Sequence, residues 1–307
     1  MGNKFANGVY PVMLTPFTKD NQVDYDALDK LTEWYLDAGA AGLFAVCQSS
    51  EMFYLTLEER IDITKFIVKK AAGRTAVVSS GHTADTIHEQ AYELNRIAGA
   101  GADAVILLTN RLAKEEESDE IWLENLKQLL EKLPEDLPLG FYECPYPYKR
   151  VITPELLKWC GDTGRFYFIK DTSCDLENIK NKLEAIKGNN IRLFNANTST
   201  LLESLQAGAS GFSGVMANFH PELYVWLTEN FNKEPEKARQ IADLLTVASL
   251  IERQVYPVNA KYYQTQIGNF KTILTRSKDP ALFNSTCQLE MEQLTRLVEF
   301  TKNLILG

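Results

Sequence analysis

The sequence predicts a (β/α)8 barrel with a C-terminal helical extension. Eight short apolar runs alternate with longer amphipathic segments, the pattern of repeated strand–helix units. The runs are continuously apolar, as expected where both faces of a parallel sheet are buried. After the first run, LTPFTKDNQVD offers no glycine-rich phosphate loop, which disfavours an open doubly wound sheet. The 307 residues exceed the roughly 250 that a barrel uses as one domain, leaving room for an appendage.

The expected strands, in order, are GVYPVMLTPF (8–17), AGLFAVCQ (41–48), TAVVSSG (75–81), DAVILLT (103–109), LPLGFYE (137–143), RFYFIKD (165–171), IRLFNAN (191–197) and ASGFSGVM (209–216). Between them lie segments such as DYDALDKLTEWYLDAG, with apolar residues at three- and four-residue spacing. Most of these helices close on a glycine (Gly39, Gly73, Gly99, Gly188, Gly208), and several open on Thr, Ser or Asp. After the eighth unit the chain stays helical from Glu234 to Leu306, with Pro235 and Pro257 opening helices. The expected organisation is a barrel over 1–232 and a helical appendage over 233–307.

Composition narrows the function. The net charge of −9 and the absence of a basic cluster exclude nucleic acid as a partner. No apolar run approaches the roughly 18 residues of a membrane span. The opening MGNKFANGVYPVML lacks the apolar core and cleavage site of a signal peptide. Gly2 would suit myristoylation only with Ser or Thr at the sixth position, which is Ala6. Five scattered cysteines without a C-x-x-C pair indicate neither disulfides nor zinc, and three scattered histidines indicate no metal site. A cytoplasmic protein without metal or cofactor is expected.

In such a barrel chemistry sits at the C-terminal strand ends. Lys170 ends the sixth strand beside Asp171. A buried ammonium is costly, so either Lys170 pairs with a rim carboxylate such as Asp171 or its neutral amine is used. A neutral amine can attack a carbonyl to form a Schiff base. About one lysine in 2,500 is neutral at pH 7, and lowering the pKa by roughly 3 units costs about 4 kcal/mol. Tyr142 ends the preceding strand, one unit away, where a phenol can relay protons or merely pack. Gln48 and Ser49, in a turning loop, suit a carboxylate; Ser50 reads as a helix cap and Glu51 as a loop anchor. Thr15, His82, Asn195, Gly214 and Val215 stand at other strand ends as candidate pocket-lining residues, His82 alternatively as a solvated loop residue. Cys47 and Cys144 read as packing residues.

Together these segments resemble the dihydrodipicolinate synthase / N-acetylneuraminate lyase family of class I aldolases. The resemblance runs from GVYPVMLTPF through the helical tail. It places the Schiff-base lysine on Lys170 in FIKDTS, the catalytic tyrosine on Tyr142 in YECP, and the 2-oxo acid carboxylate site on Gln48 and Ser49 in CQSSE. It also implies a homo-oligomer, tetramer or dimer. Departures stand beside it. Cys47 and Ser50 replace the two glycines of the loop's usual G-[ST]-T-G-E pattern and Gln48 its hydroxyl residue, and Glu143 stands where asparagine is usual, bringing a carboxylate toward the site. Tyr146 and Pro147 follow the YECP run where synthases carry an arginine, and LLTNRLAKEEE lacks their second relay tyrosine. The expectation is a lyase or aldolase acting on pyruvate or a sugar-derived 2-oxo acid, rather than the lysine-pathway synthase. The alternatives are a dehydratase or the synthase using the same iminium, and a non-catalytic barrel that binds a 2-oxo acid.

Overall fold

In the computed structural model, which describes residues 5–307, eight parallel strands form a barrel ringed by helices. Gly2 lies outside the described residues. The strands are β1 (Gly8–Val9), β2 (Gly42–Phe44), β3 (Ala76–Ser80), β4 (Ala104–Leu108), β5 (Leu139–Tyr142), β6 (Phe166–Asp171), β7 (Arg192–Asn195) and β8 (Gly211–Phe212). Their order is β1-β8-β7-β6-β5-β4-β3-β2. Closure comes through a parallel bridge between Val12 and Phe44, where the Phe44 amide donates to the Pro11 carbonyl at 3.0 Å.

β1 and β8 are much shorter than their apolar runs. Pro11 has no amide hydrogen to give a ladder, and Val215–Asn218 winds into a single 3₁₀ turn. Gly211, with φ of +155°, meets β1 so closely that a Cβ there would lie 1.8 Å from the Gly8 carbonyl oxygen.

Eight helices follow the strands: α1 (Tyr25–Asp37), α2 (Leu57–Ala71), α3 (Ile87–Ala98), α4 (Asp119–Leu130), α5 (Pro154–Asp162), α6 (Leu176–Ala185), α7 (Leu201–Gln206) and α8 (Pro221–Asn230). Five of their starts carry side-chain caps of the kind the sequence suggests. Asp24 accepts from the Ala27 amide, and Thr56 and Glu59 form a reciprocal capping box. The barrel interior is filled by rings, with Phe168 stacked on Phe194 at 4.6 Å and Tyr10 at 4.5 Å from Phe194.

Three further helices, α9 (Pro235–Ala248), α10 (Val258–Gln266) and α11 (Ser285–Leu306), extend the chain, and α11 packs on α9 and α10. Buried bonds tie α10 to the barrel: Lys261 pairs with Glu51 at 2.6 Å, and the Gln264 amide donates to the Asn218 carbonyl at 2.9 Å.

The closure seam gives a direct test. Because the obstacle at Gly211 is backbone rather than a movable side chain, Gly211→Ala should cost about 2–3 kcal/mol, the scale of overpacking. Urea unfolding measures it, and a loss near zero would mean that β1 and β8 part freely.

Candidate active site

Strand geometry decides which residues face the barrel interior. Successive side chains point to opposite faces, and β5 and β6 pair with Tyr142 opposite Lys170. Both point inward, at the same height. The Lys170 Nζ sits 4.5 Å from the centre of the Tyr142 ring, and its side chain is almost wholly buried. Asp171, offered by the sequence as its salt-bridge partner, faces outward and accepts from Lys182 instead. Desolvation therefore dominates at Lys170, lowering its pKa from 10.5 to about 8 against weaker opposing contributions from Cys47, Cys144 and Glu252.

Burial pushes the Tyr142 phenol in the other direction, well above its usual value, so it holds its proton at neutral pH. Its hydroxyl donates to Gln48 Oε1 at 3.4 Å. The Cys144 thiol approaches the same oxygen at 3.5 Å and is raised to about 11 by burial. A protonated, buried thiol is a packing group and not a nucleophile.

Gln48 and Ser49 belong to a 3₁₀ turn held from below. The Ser50 hydroxyl accepts from the Cys47 amide and donates to the Met13 carbonyl at 2.6 Å. Glu51, in the left-handed region at φ 62°, accepts from Lys261, from the Arg276 amide at 2.6 Å and from the Ser277 amide at 2.8 Å. The loop is thus pinned to the segment after β1 on one side and to the C-terminal segment on the other.

Gln48, Ser49, Tyr142, Lys170, Gly214 and Val215 line one cavity of about 500 Å³. The other four candidates do not. Thr15 is buried beneath the loop, its hydroxyl donating to the Ser50 carbonyl at 2.8 Å. His82 is neither in the cavity nor solvated: it lies fully buried, accepting from the Leu108 amide at 2.7 Å and facing Gln90 of α3 at 3.2 Å. That burial drops its pKa to about 3 and keeps the ring neutral. Asn195 donates to Thr200 and Ser204 and accepts from the Asn197 amide, so it shapes the turn whose next residues, Ala196 and Asn197, reach the cavity. Glu143 brings no carboxylate to the site. With Tyr142 facing inward, period two turns Glu143 outward, where it meets Lys182 at 2.5 Å.

The sequence reading also missed part of the wall. Glu252, Arg253 and Tyr256, from the segment between α9 and α10, line the mouth. The Tyr256 hydroxyl accepts from Asn218 Nδ2 at 3.1 Å, and burial raises its pKa well above the usual value. Nothing local in SLIERQVYPV marks a site, because only docking of the extension brings it over the barrel mouth.

Comparison with known proteins places this arrangement. The model of the dihydrodipicolinate synthetase family matches residues 5–282. The chain belongs to that family. It is 23% identical over 261 residues to a 4-hydroxy-tetrahydrodipicolinate synthase of Staphylococcus haemolyticus (strain JCSC1435), covering 85% of this chain and 87% of that one. Among solved structures, the chloride-inhibited dihydrodipicolinate synthase of Acinetobacter baumannii complexed with pyruvate superposes with a TM-score of 0.83 at 22% identity, over 94% of this chain and 98% of that one. A monomeric dihydrodipicolinate synthase variant gives a TM-score of 0.85 at 20% identity, over 99% of each chain. These likenesses establish the barrel, and family membership makes the chain a lyase of the Schiff-base type.

The depressed pKa of Lys170 has a consequence for stability. Between about pH 8 and 10.5 the unfolded chain holds the proton that the folded chain has lost. The contribution of Lys170 is therefore full above 10.5 and is lost as pH falls through about 8. Lys170→Met, which leaves no buried cation, should stabilise the protein at pH 7 by about 1–3 kcal/mol, with the gain shrinking at pH 9.5. Urea unfolding at the two pH values measures this, and a destabilised Met variant at pH 7 would contradict a desolvated ammonium.

Proposed function

We propose that the protein is a Schiff-base lyase or aldolase acting on pyruvate or a sugar-derived 2-oxo acid, with Lys170 as nucleophile and Tyr142 as proton carrier. The lysine lone pair attacks the 2-oxo carbon, forming a C–N bond. The former carbonyl oxygen, protonated in part through the Tyr142 hydroxyl, leaves as water to give the iminium. A bond on the neighbouring carbon then breaks, its electron pair flowing into the iminium nitrogen; reprotonation and hydrolysis return the amine. Gln48 and Ser49 hold the substrate carboxylate, while the chain at Gly214 and Val215 forms the facing wall.

The observation that carries this reading is the buried Lys170 amine above the Tyr142 ring, paired to no neighbouring acid on its strand. A pKa near 8 leaves roughly a tenth of the amine neutral at pH 7, against about one part in 3,000 at 10.5. The pyruvate complex of the Acinetobacter baumannii relative adds support for the substrate class. The same reading takes residues 1–232 as the barrel and 233–307 as an appendage packed on it, in a cytoplasmic homo-oligomer, tetramer or dimer, with no nucleic-acid or membrane partner; no helix among the described residues is long and apolar enough to cross a membrane. Borohydride reduction with pyruvate, followed by intact mass, tests the chemistry. The wild type should gain one adduct on Lys170, whereas folded Lys170→Ala and Lys170→Arg should gain none, since a guanidinium stays protonated. An adduct in Lys170→Ala, or none in the wild type, would overturn the mechanism.

Cavity and charges favour a polyhydroxylated second fragment over aspartate semialdehyde, the synthase's aldehyde. The cavity of about 500 Å³ far exceeds a three-carbon acid. Arg150 is directed away, donating to the Lys114 and Glu117 carbonyls and to Asp119. Lys149 reaches the wall but gives its ammonium to the Thr172 carbonyl at 2.7 Å, and Arg253 stands at the mouth beside Glu252. Condensation of pyruvate with aspartate semialdehyde should run at least about 10²-fold below an authentic synthase, each factor of ten being about 1.36 kcal/mol. A coupled assay alongside a panel of sugar-derived 2-oxo acids checks this. Robust synthase turnover, lost in Lys149→Ala or Arg253→Ala, would place the missing cation there.

A further inference from the structure

We infer that Lys182 is a positioning residue that bolts the two catalytic strand ends together from outside the barrel, an inference that rests on the roles of Lys170 and Tyr142 proposed above. Each of those residues is followed by a carboxylate, Glu143 after Tyr142 and Asp171 after Lys170. Strand alternation sends both carboxylates outward into the layer between the sheet and α6. There one ammonium, Lys182 of α6, meets Glu143 Oε1 at 2.5 Å and Asp171 Oδ2 at 2.6 Å, with all three side chains wholly buried.

The set is closed. Glu143 Oε1 also accepts from the Ile152 amide at 3.0 Å, and Oε2 from the Thr172 amide at 2.8 Å. Asp171 Oδ1 accepts from the Ser173 amide at 2.9 Å and its hydroxyl at 2.7 Å. The Thr172 hydroxyl donates to the Glu143 carbonyl at 2.6 Å. Every carboxylate oxygen of the cluster accepts at least one hydrogen bond, and its three charged side chains are wholly buried.

Its location gives it leverage. The β5–β6 ladder runs out at the Tyr142–Lys170 pair, so the ordinary sheet bonds that hold strands in step end where the chemistry begins. Beyond that point the strands are joined by the Lys182 cluster and by the Glu143 amide, which reaches the Lys170 carbonyl at 3.3 Å. Without the cation, burial and the Asp171 carboxylate would hold the Glu143 carboxyl protonated, both ion pairs would be lost, and the strand ends would spread. A displacement of about 1 Å between a nucleophile and its proton carrier is enough to cost about 10²-fold in rate.

The test separates two steps in the full-length protein. Borohydride trapping with pyruvate reads the amine, and solvent-deuterium exchange into the pyruvate methyl group reads proton transfer. In Lys182→Met, trapping should stay within tenfold of wild type while exchange falls at least 10²-fold, approaching Tyr142→Phe. A merely structural role would lower the melting temperature and leave the ratio of exchange to trapping, per folded enzyme, unchanged. Should Lys182→Met not fold, the uncharged set Glu143→Gln/Asp171→Asn/Lys182→Met decides. It removes the unpaired buried charge as well as the bolt, so stability should recover while exchange remains at least tenfold depressed relative to trapping. A wild-type ratio in either folded variant overturns this inference alone. A wild type that traps no pyruvate overturns the Schiff-base reading and takes this inference with it.

Discussion

An amine inside an apolar barrel cannot remain an ordinary lysine. Water stabilises the ammonium strongly, and the barrel interior at Lys170 offers rings and thiols in its place. The free energy spent on burying that amine is what lowers its pKa to about 8. Much else in the site follows from keeping it dry and unpaired. The carboxylates that follow Tyr142 and Lys170 in sequence, Glu143 and Asp171, face the other side of the sheet, where a different lysine neutralises them. Tyr142 lies under the amine with its ring, so it contributes an aromatic face without a negative charge.

The second organising element is the buried pair of Lys261 and Glu51. Glu51 ends the loop that carries Gln48 and Ser49, and Lys261 belongs to a helix over two hundred residues later. Burial lowers the Lys261 pKa to about 8 in spite of its partner, so the pair is held by its surroundings at least as much as it holds them. Lys261 also lies over the Phe17 ring and donates to the Leu274 carbonyl. The loop's geometry therefore depends on both ends of the barrel sequence.

The barrel was legible because continuous apolar runs separated by capped helices have few other arrangements. The placement of Lys170 beside Tyr142 was legible too, since one strand–helix unit between them puts two inward side chains at one height. The errors came from applying position without alternation. Glu143 follows an inward residue and has to face outward, yet proximity in sequence suggested the pocket. His82 follows a glycine, Gly81, where the chain turns and its ring is taken up by Gln90 and the Leu108 amide. Lys182 left a usable trace: it stands between Ile179 and Ile186 at helical spacing, on the face of α6 that is buried. A cation on an apolar stripe implies a buried anion opposite. Pro11 and the 3₁₀ turn after Gly214 shortened strands that hydropathy alone drew too long.

The mouth of the cavity is finished by Glu252, Arg253 and Tyr256, which follow the last strand of the barrel by some distance along the chain. A polypeptide emerging from the ribosome exposes all eight strands before this wall exists. Until the segment docks, Tyr256 is not over Ser49, the Glu51 carboxylate lacks Lys261, and the loop carrying Gln48 and Ser49 has no second anchor. The last part of the chain to be made therefore completes the cavity around an amine that the eight strands have already positioned.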